Sequence, residues 1–299
     1  MTMRFGIMAM QMDMLVPVVA TPAEAAAYLA GFNHAGLVRT LYQRGFSLVE
    51  LGGDLGMFFP HSFADPAVAE LAQMKAETDL SFTVHLPLWS VEPSTPLTPV
   101  RQGSVRAVVD TIIATRTLQP ECYVLHATGA LAAEFYQMRL PPQAKTLILR
   151  QFQQGARLSI QTILAETGLP SRRLAIETIE FPFELTLELA DELDLSICLD
   201  TGHVLVGFSG DVQLFDVLER VLPRLGEIHL HDGPWQGPER KIGYGKDHQV
   251  LGSGDLDVAR LLDRLVKARF SGPIIFELKV NEALASLEVI RAIRPGLVE

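Results

Sequence analysis

Eight short, apolar, β-rich runs punctuate the chain, and a helical stretch follows each of them. The runs are RFGIMA (4–9), SLVEL (47–51), SFTVHL (81–86), CYVLHA (122–127), RLAIET (173–178), LSICLD (195–200), EIHLH (227–231) and PIIFEL (273–278). Continuous apolar runs of this length suit strands buried on both faces, as in parallel sheets. The stretches between them carry apolar residues at spacings of three and four with charges interleaved, the pattern of an amphipathic helix. Residues 22–45, for example, read as one helix that opens on Pro22 and closes at Gly45. Strand–helix alternation repeated eight times in 299 residues predicts a single-domain (β/α)8 barrel over 1–299. An open doubly wound sheet is the competing arrangement, but IMAMQMDM (7–14) has no Gly-rich phosphate loop.

Composition narrows the function classes. The chain is 48% hydrophobic and 20% charged, enough for a sizeable core, and its net charge is −10. So acidic a balance argues against a broad nucleic-acid face, which needs clustered Lys and Arg. Cys122 and Cys198 lie in apolar runs and read as buried reduced thiols. The N-terminal segment reads as a first core strand rather than a signal peptide, because Gln11 and Asp13 break its apolar run. No run reaches the ~18 apolar residues of a membrane span, and a cytoplasmic protein is expected. A homo-oligomer is compatible with the sequence.

In a barrel of this kind the active site lies at the C-terminal ends of the strands. The residues there are Glu50, His85, His126, Glu177, Asp200 with His203 three residues on, His229 and His231, and Glu277. Of the eight histidines only His34 and His61 fall away from these ends and from the loop holding His248. Burying imidazoles and carboxylates that converge on one point costs free energy unless something pairs them, and divalent cations do so. Imidazole-rich ligation suits Zn, Mn, Fe or Co better than Mg or Ca. The donor set exceeds the needs of one ion, so two or three are expected, with zinc first. Strand periodicity puts His229 and His231 on one face and does not choose between them.

These residues, in this order, resemble the xylose-isomerase-like barrel superfamily, which includes sugar isomerases and epimerases and the endonuclease IV group of metal-dependent phosphodiesterases. The resemblance implies a core metal set of Glu177, Asp200, His229 and Glu277. Its endonuclease-like branch adds His85 in HLP, His126 in LHATG, His203 in DTGH and His248 in DHQVLGSGDLD. It also selects His229 as the ligand of strand 7, leaving His231 to orient a ligand or to touch substrate, and Asp232 to orient neighbours. One position departs: the family has an Asp two residues before the loop His, where this chain has Lys246, with Asp247 shifted by one. That puts the third ion in doubt.

Under this resemblance Glu177 and Glu277 are the catalytic candidates in a metal-assisted phosphoester hydrolase acting on a small, non-DNA substrate. Lys246, Arg240 and Trp89 are the further substrate-binding candidates, with Arg101 and Arg106 as additional phosphate clamps. Trp235 and Tyr244 are candidates for lining a flat ligand. A narrower likeness in VHLPLWS, RQGSVRAVVDTI and YVLHA is to barrel enzymes that remodel cobamides by cleaving the nucleotide-loop phosphoester. The rival reading is a sugar or sugar-phosphate isomerase or epimerase using one ion, with Glu177 and Glu277 as acid and base. A non-catalytic metal- or sugar-binding barrel is the third class.

Overall fold

The structure is a computed structural model that describes residues 2–11, 15, 21–235 and 245–298. Eight parallel strands close on themselves in sequence order: β1 (Phe5–Met8), β2 (Leu48–Gly52), β3 (Ser81–His85), β4 (Tyr123–Leu125), β5 (Leu174–Glu177), β6 (Ser196–Asp200), β7 (Leu225–His229) and β8 (Ile274–Phe276). Closure runs through β1 and β8, which pair Phe5 with Ile274 and Ile7 with Phe276. The expected single-domain (β/α)8 barrel is what the chain forms. The outer ring is α1 (His34–Gln43), α2 (Asp65–Glu77), α3 (Thr98–Thr115), α4 (Pro142–Thr167), α5 (Phe183–Glu192), α6 (Leu214–Val221), α7 (Val258–Ala268) and α8 (Val280–Ile293).

Strand alternation explains the two packing layers. Tyr123 and Leu125 face outward into the main core beneath the helices, while Val124 faces inward with Cys122, Ala175 and Cys198. Both cysteines are buried free thiols, as their apolar settings predicted, and burial pushes both thiols well up from their ordinary value. Outside, α7 buries Val258, Leu261, Leu262 and Leu265, the i, i+3, i+4, i+7 stripe of an amphipathic helix. Each such leucine contributes about 2 kcal/mol by burial.

One expectation needs correction. The predicted helix over 22–45 is two helices, Pro22–Gly31 and α1. Asn33 accepts the Gly36 N–H through Oδ1 at 2.9 Å, and this cap starts a new helix inside an otherwise continuous amphipathic pattern. Strand β7 ends at His229, and His231 just beyond it still turns its ring to the same acids, with Nε2 2.8 Å from Asp200 Oδ2 and 3.9 Å from Glu277 Oε2, as the alternation led one to expect. No helix among the described residues is long and apolar enough to cross a membrane.

Candidate metal centre

The strand ends and the segments after them bring all eight candidate ligands together; six of them line a cavity of about 610 Å³, and Asp200 and His229 lie buried beneath it. Glu177, at the tip of β5, is central. Its Oε2 lies 3.1 Å from His85 Nε2 and 3.0 Å from His126 Nε2. The same oxygen is 3.6 Å from His229 Nδ1, while Oε1 is 3.1 Å from His203 Nδ1. One carboxylate therefore touches two groups of ligands, the arrangement a bridging carboxylate requires.

The second group is Glu177, Asp200, His229 and Glu277, whose ligand atoms all lie within 4.8 Å of one another. His229 Nδ1 is 3.4 Å from Glu277 Oε1 and 3.8 Å from Asp200 Oδ2. The third lies beside it. His203 Nε2 is 3.5 Å and His248 Nδ1 2.9 Å from Asp247 Oδ2, and His248 Nε2 is 3.3 Å from Glu277 Oε2. The carboxylate that the sequence places one residue out of register thus still reaches His203 and His248. His248 has φ 55°, a left-handed backbone that a non-glycine residue adopts at a cost of about 1 kcal/mol or more.

The ring nitrogens can be assigned from their neighbours. His85 Nδ1 lies 3.0 Å from the Leu86 carbonyl, which only accepts, so Nδ1 carries the hydrogen and Nε2 is left for a ligand. His231 Nδ1 accepts the His248 backbone N–H at 2.8 Å, so Nε2–H donates to Asp200 Oδ2, also at 2.8 Å. With both nitrogens used and no exposed surface, His231 holds Asp200 from behind and is not among the cavity-lining residues. Its ring packs tightly on the turn after β6, where a Cβ on Gly202 would meet His231 Nδ1 at 2.1 Å. The glycine of DTGH is therefore a packing requirement.

Asp232 gathers the loop that follows. Gly252 and Gly254 donate their N–H groups to Oδ2 at 2.9 and 3.0 Å, and Leu256 and Gly233 donate to Oδ1 at 2.9 and 2.8 Å. A Cβ at Gly254 would fall 2.4 Å from that carboxylate. The Gly-x-Gly of this loop lets four amides converge on one side chain.

The electrostatics show what such a set demands. Burial alone would push the imidazoles down and the carboxyls up. Instead the imidazoles of His203 and His229 are driven well up by their carboxylate neighbours against that penalty, and those of His85 and His248 rise to about 9 and about 10. Glu177 and Glu277 are held well below the carboxylate range despite burial, mainly by His126 and His229 for Glu177 and by His229 and His248 for Glu277. The buried Nδ1 atoms of His203 and His229 have no hydrogen-bond partner. Orphaned nitrogens facing crowded carboxylates fit divalent cations, with His85, His126 and Glu177 on one side and Glu177, Asp200, His229 and Glu277 on the other.

Other expected residues fall differently. Trp89 lines the cavity, 54% exposed and edge-on to Phe58 at 5.9 Å. Asp54, unremarked in the sequence, holds that turn by accepting the Leu88 N–H at 3.0 Å. Lys246 is exposed on the loop and does not line the cavity, whereas Lys279, two residues past Glu277, does. Arg101 and Arg106 belong to α3, away from the cavity. Arg101 donates to the Thr95 carbonyl and Arg106 pairs with Asp110 on its own helix, so neither is placed as a phosphate clamp. Trp235 packs against the main core and is not among the cavity-lining residues. Arg240 and Tyr244 lie outside the described residues.

A closed parallel barrel with a carboxylate-bridged cluster of histidines at its C-terminal face defines a class of metal-capable barrel proteins. A family model described as the xylose isomerase-like TIM barrel matches residues 38–295, and the chain belongs to that family. It is similar to a probable endonuclease 4 of Mycobacterium leprae, 25% identical over 233 residues that span 76% of this chain and 85% of that one. Among solved structures it is similar to a D-tagatose 3-epimerase-like protein, with TM-score 0.70 and 17% identity over 97% of each chain. It is similar too to endonuclease IV from Thermus thermophilus, with TM-score 0.62, 20% identity, and 97% and 98% of the two chains covered. Members of both enzyme types share this fold, and the chain falls in an enzyme superfamily.

Proposed function

We propose that the chain is a metal-dependent hydrolase of a phosphoester in a small substrate. The observation that carries this reading is the surplus of imidazoles around Glu177. His85 and His126 flank its Oε2, although Glu177, Asp200, His229 and Glu277 already form a complete four-ligand set. An enzyme working with one ion has no use for that second pair. Divalent ions held there, zinc first, would supply Lewis acidity to a phosphoryl oxygen and to an attacking water. His203, Asp247 and His248 are placed to hold a third ion or to orient the phosphate. Lys279 offers an anionic substrate positive charge at the mouth, and Met8, Met10, Leu88 and Trp89 form an apolar wall that limits water.

The nucleotide-loop phosphoester of a cobamide is the particular substrate we put first. The likeness of the VHLPLWS segment supports it, as does an apolar wall facing a ligand-rich floor. The second reading, a sugar epimerase or isomerase, draws on the completeness of the four-ligand set, with Glu177 and Glu277 moving a proton beside a carbonyl. Counting tightly held metal and assaying a panel of a cobamide, abasic DNA, simple phosphodiesters and ketoses separates the two. Two or more ions per chain with phosphomonoester release supports the hydrolase. A single ion with ketose epimerisation and no phosphoester cleavage refutes it.

A further inference from the structure

The cavity has two unlike sides. The candidate ligands occupy one. The other comes from the adjoining ends of β8, β1, β2 and β3 and is apolar, built from Leu278, Met8, Met10, Leu88 and Trp89. Gly52 and Gly53, where β2 ends, also line the cavity and bring bare backbone to it. A space of about 610 Å³ holds far more than a phosphoryl group, so the rest of the substrate has this apolar side to fill.

At its rim Met57, Phe58 and Trp89 are exposed together. Single exposed apolar residues are ordinary, but a cluster of them at the edge of a cavity marks a surface that a ligand covers. The cluster is also held in place. Asp54 is buried, stands immediately before the short helix Leu55–Phe58, and accepts the Leu88 N–H at 3.0 Å and the Trp89 N–H at 3.4 Å. The Ser90 hydroxyl donates to Met57 Sδ at 3.3 Å, and Phe58 lies edge-on to the indole with ring centroids 5.9 Å apart. The segments after β2 and β3 are thus tied together, and Trp89 follows the candidate ligand His85 by only four residues. An aromatic surface fixed before the ligand arrives loses little freedom on binding.

The chemistry of the wall selects its occupant. Sugar hydroxyls laid against Met8, Met10, Leu88 and Leu278 would leave water without a side-chain partner there, at a cost. A planar ring has no such groups to desolvate on its faces and stacks on an indole. We propose that Trp89, steadied by Phe58, is the specificity-determining platform of the cavity: it stacks an aromatic ring that the substrate carries beside its phosphoester, as a nucleotide does. The inference rests on the phosphoester reading above and narrows it to ring-bearing esters.

The test titrates the zinc-loaded chain with adenosine 5-monophosphate and with ribose 5-phosphate, the same phosphate end with and without a ring. Calorimetry gives both affinities. Fluorescence in a Trp235→Phe background, which leaves Trp89 as the sole tryptophan, reports contact with the indole. The adenosine ester should bind about tenfold or more tightly than the ribose ester and quench Trp89, the usual size of base-on-aromatic stacking. Trp89→Ala should bring the two ligands within about threefold of each other by weakening only the adenosine ester. Phe58→Ala should lose part of the same preference. Equal affinities in the wild-type chain overturn the proposal, and so does a preference for the ring that survives Trp89→Ala. The wild-type comparison decides the matter even if a variant does not fold. Cleavage of phosphodiesters with no ring preference sinks this inference alone. Ring preference in a chain that cleaves no phosphodiester sinks the hydrolase reading and leaves the platform standing, whereas a chain that binds neither phosphate sinks both.

Discussion

Single residues divide sharply into those that serve the centre and those that merely sit in the barrel. Removing His85 and His126 together should take one ion from the chain while leaving the Asp200–His229–Glu277 group loaded. Under the proposed hydrolysis, phosphoester turnover should fall at least a hundredfold, and metal analysis beside the assay checks both halves. His34 shows the opposite case. It is buried at the start of α1, with Nδ1 3.0 Å from the Ser62 carbonyl and the ring edge-on to Phe63. Burial drives its imidazole down from 6.5 to about 4. Because the folded value is depressed, its share of stability is present above pH 6.5 and lost as pH falls toward 4. The whole loss is about 3 kcal/mol. His34→Phe should be less stable at pH 7 yet lose less on acidification, which melting curves between pH 7 and 4 would show. A variant that acidifies in parallel with wild type would contradict this account.

At the scale of elements, the strand ends were legible in the sequence because each buried apolar run stops at a side chain that water or metal must meet. Glu177, Asp200, His229 and Glu277 could be picked out for that reason. What could not be read depends on where hydrogen bonding ends and on loop backbone. Alternation brought His229 and His231 to the same acids but did not reveal that the His231 ring is held between Asp200 and the His248 amide of the following loop. Asp247 reaches His203 by way of a loop with left-handed backbone at His248, a conformation no residue type announces. The break at Asn33 is likewise a cap hidden inside a helical pattern. The loop after β7 supplies the prediction that belongs here. Asp232→Asn leaves one acceptor oxygen for four amides and should cost about 2–4 kcal/mol. It should also speed hydrogen exchange at Gly252, Gly254 and Leu256 before any global unfolding. Unchanged protection at those amides would show that the carboxylate is not what ties the loop.

For the whole molecule, the metal-free chain holds its centre together with protons, and metal must displace them. His85 at about 9 and His248 at about 10 are raised by carboxylate partners. Their contribution to metal-free stability is therefore full below pH 6.5 and lost as pH rises through 9 to 10. Zinc binding at pH 7 should release protons, with affinity climbing as pH rises toward that window. Calorimetry in two buffers of different ionisation enthalpy measures the release, and identical heats in both would refute it. The zinc-loaded chain should keep its melting temperature on the alkaline side, where the metal-free chain loses it. Closure of the barrel adds a consequence in time. The ligands span residues 85 to 277, and β8 must dock between β1 and β7 before Glu277 arrives. A chain whose β8 has not yet been made and docked thus holds only part of the candidate ligand set. The last strand to be made is therefore the one that completes the candidate site, however early the other seven fold.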